Sequence, residues 1–325
     1  MCLKSIVAQN YPKDKVEVLV VDGMSEDETR KIVRQYMQEF PFIKLLDNTR
    51  KVTSVAMNIG IESASGDYVI VLSSHSKIEQ NFVKINVNSF RQYNPDCTGG
   101  VMITLPANHK PLAQCIALAI SNPFGVGNAY FRIGTKKPKF VDTVPFGCYK
   151  RKIFDKIGLF DEELIRNQDD ELNARLIKSG GRILLDPEII SYYHARDSLT
   201  KLWKMYFQYG YFKPLVVLKI GGVPTWRQLV PILFVGCLII FAALSFITRT
   251  FMWLFLFTVL IYLMCSIVCS FLIVLKQKLT YILILPVVFA VLHFSYGTGY
   301  VKGILDFIFL RKHLKKKIVD IPLSR

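Results

Sequence analysis

The 325 residues carry a formal charge of +16 and are 51% hydrophobic, with a mean hydropathy of +0.32. That is too apolar for an ordinary soluble protein of this length, so a wholly soluble enzyme is excluded. The basic surplus flanks apolar runs, where membrane topology explains it better than nucleic acid, which is set aside as a partner.

The chain begins with Leu3, Ile6 and Val7 at helical spacing, with no strand ahead of them and no signal peptide at Met1. Residues 16–21 are a β-branched run and read as a buried strand, ending at Asp22-Gly23. Ser25 and Glu28 then have the spacing of a capping box for a helix that runs to about Phe40. Asp22 thus lies at the carboxyl end of a strand just before a helix, where open α/β sheets collect ligands. An ordinary Asp-Gly turn is the alternative.

Residues 43–46 form a second strand, 53–64 a helix, and 68–72 a third strand that opens into Ser73-Ser74-His75. A helix over 79–93, strands at 99–104 and 140–149, and a strand at 182–185 that ends before Pro187 complete the pattern. The alternation argues for a largely parallel sheet covered on both faces. Between the last two strands lies Asn167-Gln168-Asp169-Asp170-Glu171-Leu172, with Leu172 and Leu176 four apart on one helix face. Three carboxylates in a first turn complement the helix dipole. One of them can equally be a general base, since crowding by like charges suits proton abstraction.

From residue 199 the chain changes character. Leu199, Leu202, Trp203, Tyr206 and Gly210 share a helix face, with Lys201 and Lys204 beside it, so 199–228 reads as amphipathic and interfacial. Runs at 229–247 and 251–275 are long enough to span a bilayer. A third run, 281–310, carries Gly297, Gly299, Lys302, Gly303 and Asp306 and reads as a short or re-entrant pair. With the basic tail 311–325, the positive-inside rule then puts the catalytic domain and both basic flanks in the cytoplasm of a multi-pass plasma-membrane protein. The seven cysteines form no metal-type pair and no disulfide framework.

Four stretches together, 5–12, 20–29, 58–72 and 158–181, resemble the inverting family 2 glycosyltransferases of GT-A fold. The finer pattern, with His75, 167–173 and Gln208-Tyr209-Gly210-Tyr211, is similar to ExoA-type enzymes of exopolysaccharide assembly. The resemblance implies an α/β, Rossmann-like GT-A domain over 1–198, mostly parallel, followed by transmembrane helices. It implies transfer of a hexose from a nucleoside-diphosphate sugar, expected to be a UDP-sugar, to a lipid-linked saccharide or polysaccharide, with membrane lipid as surroundings.

Carried over by position, Asp22 contacts the nucleobase, and Ser73 and His75 fall on the motif that holds a divalent cation, Mn²⁺ or Mg²⁺, on the diphosphate. Both carboxylates of that motif are absent. Asp169 falls on the catalytic base, with Asp170 next to it as the runner-up. Arg196, Gln208 and Tyr209 hold diphosphate or acceptor. The resemblance also implies a first strand ahead of Leu3, so this form is expected to lack that strand and to be poorly active. The competing reading is a degenerate, non-catalytic scaffold in a polysaccharide assembly complex.

Overall fold

The computed structural model describes residues 1–223 and 225–315. The expected basic tail from residue 316 onward lies outside them. The chain divides into two compact units, 1–103 with 134–193, and 104–133 with 194–325.

In the first unit, helix α1 (Cys2–Val7) precedes strand β1 (Val18–Asp22), helix α2 (Thr29–Glu39) and strand β2 (Ile43–Asp47). Helix α3 (Thr53–Ser63), strands β3 (Tyr68–Ile70) and β4 (Lys77–Ile78), and helix α4 (Phe82–Tyr93) follow, leading into β5 (Cys97–Leu105). Helices α5 (Pro111–Ala119), α6 (Pro123–Val126) and α7 (Tyr130–Ile133) belong to the second unit. The chain then returns with β6 (Lys139–Val141), β7 (Cys148–Lys150), α8 (Ile153–Ile157), α9 (Gln168–Lys178) and β8 (Ile183–His194).

The sheet is mixed, not largely parallel. β1 and β2 pair in parallel as a two-stranded sheet, with α2 as the crossover. The other strands form a six-stranded sheet of order β3-β7-β5-β8-β4, with β6 on β8. There β3–β7, β5–β7, β4–β8 and β6–β8 are all antiparallel. A parallel pair needs a helical crossover, which α2 supplies between β1 and β2.

Three local expectations also change. Residues 140–149 are two short strands, because Pro145 removes a donor and Phe146 takes a left-handed φ of 49°. Strand β8 runs straight through Pro187; the next N–H, of Glu188, is satisfied by Asp186 Oδ1 at 3.0 Å. The Ser25–Glu28 capping box does not form: α2 starts at Thr29, and Ser25 donates its hydroxyl to Asp22 instead. A carboxylate outcompetes the uncharged partners a capping box would give that hydroxyl.

Helix α1 is tied down by Gln9, whose Nε2 donates to Ser5 O and Glu79 O at 2.9 and 2.7 Å and whose Oε1 accepts Val83 N–H. Beneath it Ile78, Phe82 and Ile189 form an apolar cluster, with Ile70, Leu72 and Phe146 against its edge.

The second unit is helical. Helix α10 (Leu199–Ile220) is capped by Ser198, whose hydroxyl accepts Lys201 N–H. Helices α11 (Val230–Leu244), α12 (Arg249–Val274) and α13 (Leu285–Gly303) follow; α13 continues as a π-helical turn, Ile304–Phe309, and α14 (Lys312–Lys315) ends the described chain. Three helical segments are long and apolar enough to cross a membrane: Trp226–Leu244, Arg249–Val274 and Leu279–Phe309.

One expectation changes here. The third run is a single 31-residue helical segment, not a re-entrant pair. Helix α10 leaves Lys201, Trp203 and Lys204 exposed at its start and buries Met205, Tyr206, Gln208 and every residue from Gly210 to Val216. Glycines of α10 and α13 are points of backbone contact. A Cβ on Gly210 would lie 2.1 Å from Tyr296 O, one on Gly299 2.2 Å from Phe207 O, and one on Gly303 2.2 Å from Tyr211 O. Small residues let α10 and α13 touch main chain to main chain, as in close-packed membrane helices.

Candidate active site

Strand β7 organises the first unit's candidate residues. On one side it pairs with β3, setting Val69 opposite Tyr149 and Ile70 opposite Cys148. The ladder extends one step, Val71 N–H donating to Gly147 O at 3.1 Å, and then releases the loop that exposes Ser73, Ser74 and His75. That loop is closed by Ser76, whose hydroxyl donates to Ser73 O at 2.6 Å.

Strand β7 also fixes α9. The Tyr149 hydroxyl, in a 2% exposed side chain, donates to Asn173 Oδ1 at 2.9 Å. Asn173 Nδ2 in turn donates to Thr143 Oγ1 at 2.9 Å. Asn173 and Asp169 are four apart and therefore share a helix face. The carboxylate of Asp169 lies near enough for its charge to act on Tyr149. Burial pushes the Tyr149 hydroxyl well above its ordinary value, and the negative charge of Asp169 adds to it. The exit of β3 and the first turn of α9 are thus hung on the same strand.

The acidic triplet splits by environment. Glu171 is buried and takes Arg175 in a two-pronged pair, Nε to Oε1 at 2.9 Å and Nη2 to Oε2 at 2.7 Å. Arg175 also donates to Ile157 O and to Leu159 O, pinning the turn before the acidic stretch 160–163. Glu171 is therefore a structural ion. Asp169 is exposed and Asp170 half-buried, and Asp170 N–H donates to Asp169 Oδ1 at 3.0 Å. The start of a helix stabilises negative charge at both positions.

Asp22 closes β1 with its side chain 4% exposed. It accepts Ser25 N–H at 2.9 Å, the Ser25 hydroxyl at 2.6 Å and Arg30 Nη1 at 2.8 Å. Burial alone would raise its pKa; the Ser25 and Arg30 donors outweigh that and hold it below the usual carboxylate range. Arg30 reaches on to Asp47 Oδ1 at 2.7 Å, at the end of β2. A carboxylate offers about four acceptor directions, so Asp22 retains capacity for one further donor.

Arg196 and Tyr209 are half-buried and Gln208 is buried, all three in the second unit. Lys213 of α10 is 4% exposed.

Sequence reasoning missed two positioning residues. Asn58 of α3 clasps residue 160 as a strand would, Nδ2 donating to Phe160 O and Oδ1 accepting Phe160 N–H, both at 2.9 Å. It also donates to Glu162, which pairs with Arg50. Asn173 is the other. Their sequence signal is their place in the motif stretches 58–72 and 167–173.

No three His, Cys, Asp or Glu side chains converge as a cation site among the described residues. The 73–75 loop offers one imidazole and two hydroxyls, whereas hard divalent ions prefer carboxylate oxygens. This donor set does not hold Mn²⁺ or Mg²⁺ by itself.

The family model of glycosyl transferase family 2 matches residues 1–158. A Methanococcus voltae protein, dolichyl N-acetyl-alpha-D-glucosaminyl phosphate 3-beta-D-2,3-diacetamido-2,3-dideoxy-beta-D-glucuronosyltransferase, is 28% identical over 94% of this chain and 92% of its own. The succinoglycan biosynthesis protein ExoA of Rhizobium meliloti is 26% identical over 89% of this chain and 86% of its own. In fold, a Pyrobaculum calidifontis mannosyltransferase solved with GDP-Man and Mn²⁺ superposes with a TM-score of 0.57 at 16% identity, covering 94% of this chain and 82% of the other. A GT-A fold, a family match over residues 1–158 and relatives aligned along nearly the whole length make this chain similar to the family 2 glycosyltransferases, ExoA among them.

Proposed function

We propose that the chain moves a hexose, with inversion, from a nucleoside-diphosphate sugar to a hydroxyl of a lipid-linked saccharide, in the assembly of a surface polysaccharide or glycan. Asp169 removes the acceptor proton, and the resulting oxygen attacks the anomeric carbon. The bond from that carbon to the diphosphate breaks, and the nucleoside diphosphate leaves with the electron pair. The observation that carries this reading is the partition of the acidic triplet. Glu171 is consumed by Arg175, while Asp169 is exposed on the helix face that Asn173 ties to β7.

Asp22 receives the nucleobase through its remaining acceptor capacity, with Arg30 and Ser25 holding its orientation. Ser73 and His75 lie beside the donor diphosphate; a cation used there arrives on the diphosphate, which supplies the oxygen ligands the loop lacks. Arg196, Gln208 and Tyr209 serve the leaving diphosphate or the acceptor. A UDP-sugar is the donor we favour. The Methanococcus voltae relative, named for a dolichyl-linked phosphate acceptor, supports a lipid-linked acceptor here.

Three apolar segments support a multi-pass protein with the nucleotide-binding unit in the cytoplasm; Lys276 and Lys278 then agree with the positive-inside rule, while a third crossing carries Arg311 and Lys312 to the opposite side, against it. The sheet takes one further strand; the unpaired edges of β1 and β3 among the described residues support that reading.

The test is Asp169→Asn beside Asp170→Asn, measured for nucleotide-sugar binding and for transfer to a lipid-linked acceptor. Asp169→Asn is expected to keep donor affinity and to lose transfer by about 10²–10⁴-fold, the usual size of a general-base contribution. Transfer at the wild-type rate by Asp169→Asn excludes Asp169 as the base.

A further inference from the structure

Between Lys110 and Arg132 no residue carries a charge. This stretch joins β5 to β6 and belongs to the second unit, although the strands on either side of it belong to the first. It is not one of the three long apolar segments, because its helix breaks. Helix α5 ends at Ala119, and Asn122 then caps the four-residue α6, accepting Phe124 N–H at 2.9 Å. The chain doubles back there: a Cβ on Gly125 would lie 2.1 Å from Ala119 O.

The depth of this turn follows from what it touches. The centres of the three segments long enough to cross a membrane meet one another, the Phe234 ring lying 4.5 Å from that of Tyr262 and 5.4 Å from that of Phe294. Phe124 joins the same cluster, its ring 6.0 Å from Tyr262, 4.9 Å from Phe289 and 5.1 Å from His293. Helix α5 has 9 residues and is about 14 Å long, while half of a hydrocarbon core is about 15 Å. The way back is short. Asn128 Oδ1 accepts Arg227 Nη1 at 3.4 Å, where the first apolar segment begins.

Non-helical backbone survives in hydrocarbon only where protein covers it and its polar groups are paired. Ala113, Cys115, Ile116, Ala119 and Ile120 are all fully buried. At the tip, Gly127 N–H takes Pro123 O at 2.8 Å, and the next carbonyl, Phe124 O, accepts His293 Nε2 at 2.8 Å. A carbonyl only accepts, so Nε2 carries the hydrogen, and Nδ1 is left to accept the Tyr262 hydroxyl at 3.0 Å. That task accounts for an ionisable side chain in the middle of an apolar segment, where one is costly.

Resting on the multi-pass reading above, we propose that residues 111–131 form a re-entrant hairpin, which dips to the middle of the bilayer and returns to the face it left. Its partner is hydrocarbon, and His293 is the positioning residue that holds its tip. The chain then ties the first unit to a membrane-embedded element at all three passages between the units, after residues 103, 133 and 193.

The experiment uses the full chain in nanodiscs of phosphatidylcholine, with Trp203→Phe, Trp226→Phe and Trp253→Phe. A single tryptophan is then introduced either as Pro123→Trp, at an exposed position of the tip, or as Leu260→Trp, near the centre of the second apolar segment and 56% exposed. A third chain keeps Trp226 alone. Each is quenched with lipid brominated near the acyl-chain ends or near the head group. Pro123→Trp and Leu260→Trp are expected to be quenched more by the deep bromines, and Trp226 more by the shallow ones. Deep quenching of Leu260→Trp with shallow quenching of Pro123→Trp would overturn the hairpin alone. Shallow quenching of both would remove the spanning reading and the hairpin with it. If Pro123→Trp unsettles the turn, thiol labelling decides. Pro123→Cys should resist a water-soluble maleimide as the exposed Cys265 does, while Pro111→Cys, exposed at the hairpin's entrance, is labelled. Labelling of Pro123→Cys as fast as Pro111→Cys would overturn the proposal.

Discussion

Replacing Glu171 by glutamine tests whether the acidic triplet divides into one structural ion and one working base. The Glu171 side chain is 6% exposed and Arg175 is 29% exposed, so the pair is largely shielded from water. Arg175 spends its donors on both Glu171 oxygens, on Ile157 O and on Leu159 O. Glu171→Gln leaves that guanidinium without its counter-ion; breaking a buried pair from one side costs about 3 kcal/mol or more. Domains of about 150–250 residues lose about 2–4 °C in Tm per kcal/mol. The first unit should therefore melt roughly 6–12 °C lower. Thermal unfolding of the purified chain reads this directly, with transfer assayed well below the lowered transition. The folded Glu171→Gln protein is expected to keep donor binding and most of its transfer, while Asp169→Asn lowers Tm by at most about 4 °C, the worth of one charge at a helix start, and loses transfer. An unchanged Tm for Glu171→Gln would refute the energetic argument. Complete loss of transfer by the folded variant would move the base from Asp169 to Glu171.

Gly299→Ala should push α10 away from α13, because the added Cβ starts 2.2 Å from Phe207 O; overpacking of this kind costs about 1–3 kcal/mol, and Tm in detergent should fall while Gly236→Ala, whose Cβ meets nothing within 4 Å, leaves it unmoved. Ser25→Ala removes a charge-assisted hydrogen bond from Asp22 and should cost about 1.5 kcal/mol at pH 7. Since the folded pKa of Asp22 is held below the unfolded value, this stabilisation is present above the unfolded pKa and disappears as pH falls through the folded one. The stability gap between wild type and Ser25→Ala in denaturant melts should accordingly close in acid, and a gap constant from pH 7 to 3 would refute the assignment. Calorimetry with Mn²⁺ alone should detect no tight site on the nucleotide-free chain, because the 73–75 loop provides a single imidazole; micromolar binding without nucleotide would contradict that account.

The signals legible in the residues were local ones. The β-branched run ending at Asp22, the apolar face of the helix that became α2, and uninterrupted apolar runs long enough to span are all properties of contiguous sequence, and each element formed close to its expected place. The ordered motifs from Ser5 to Gly181 were enough to point to family 2, since spacing along a chain survives whatever the fold does with it. What depended on partners was not legible. Whether Ser25 caps a helix or serves Asp22 depends on where a carboxylate sits in space. Three adjacent acids look alike until Arg175 claims one of them. Gly299 and Gly303 read as breaks in isolation, and became the seam of α10 and α13 only because a second backbone lies against them. Strand direction was decided in the same way, by which edges were left to pair. Propensity and hydropathy act over a few residues, whereas pairing, burial of charge and close helix contact are settled between residues tens to hundreds of positions apart, and only the folded chain brings those together.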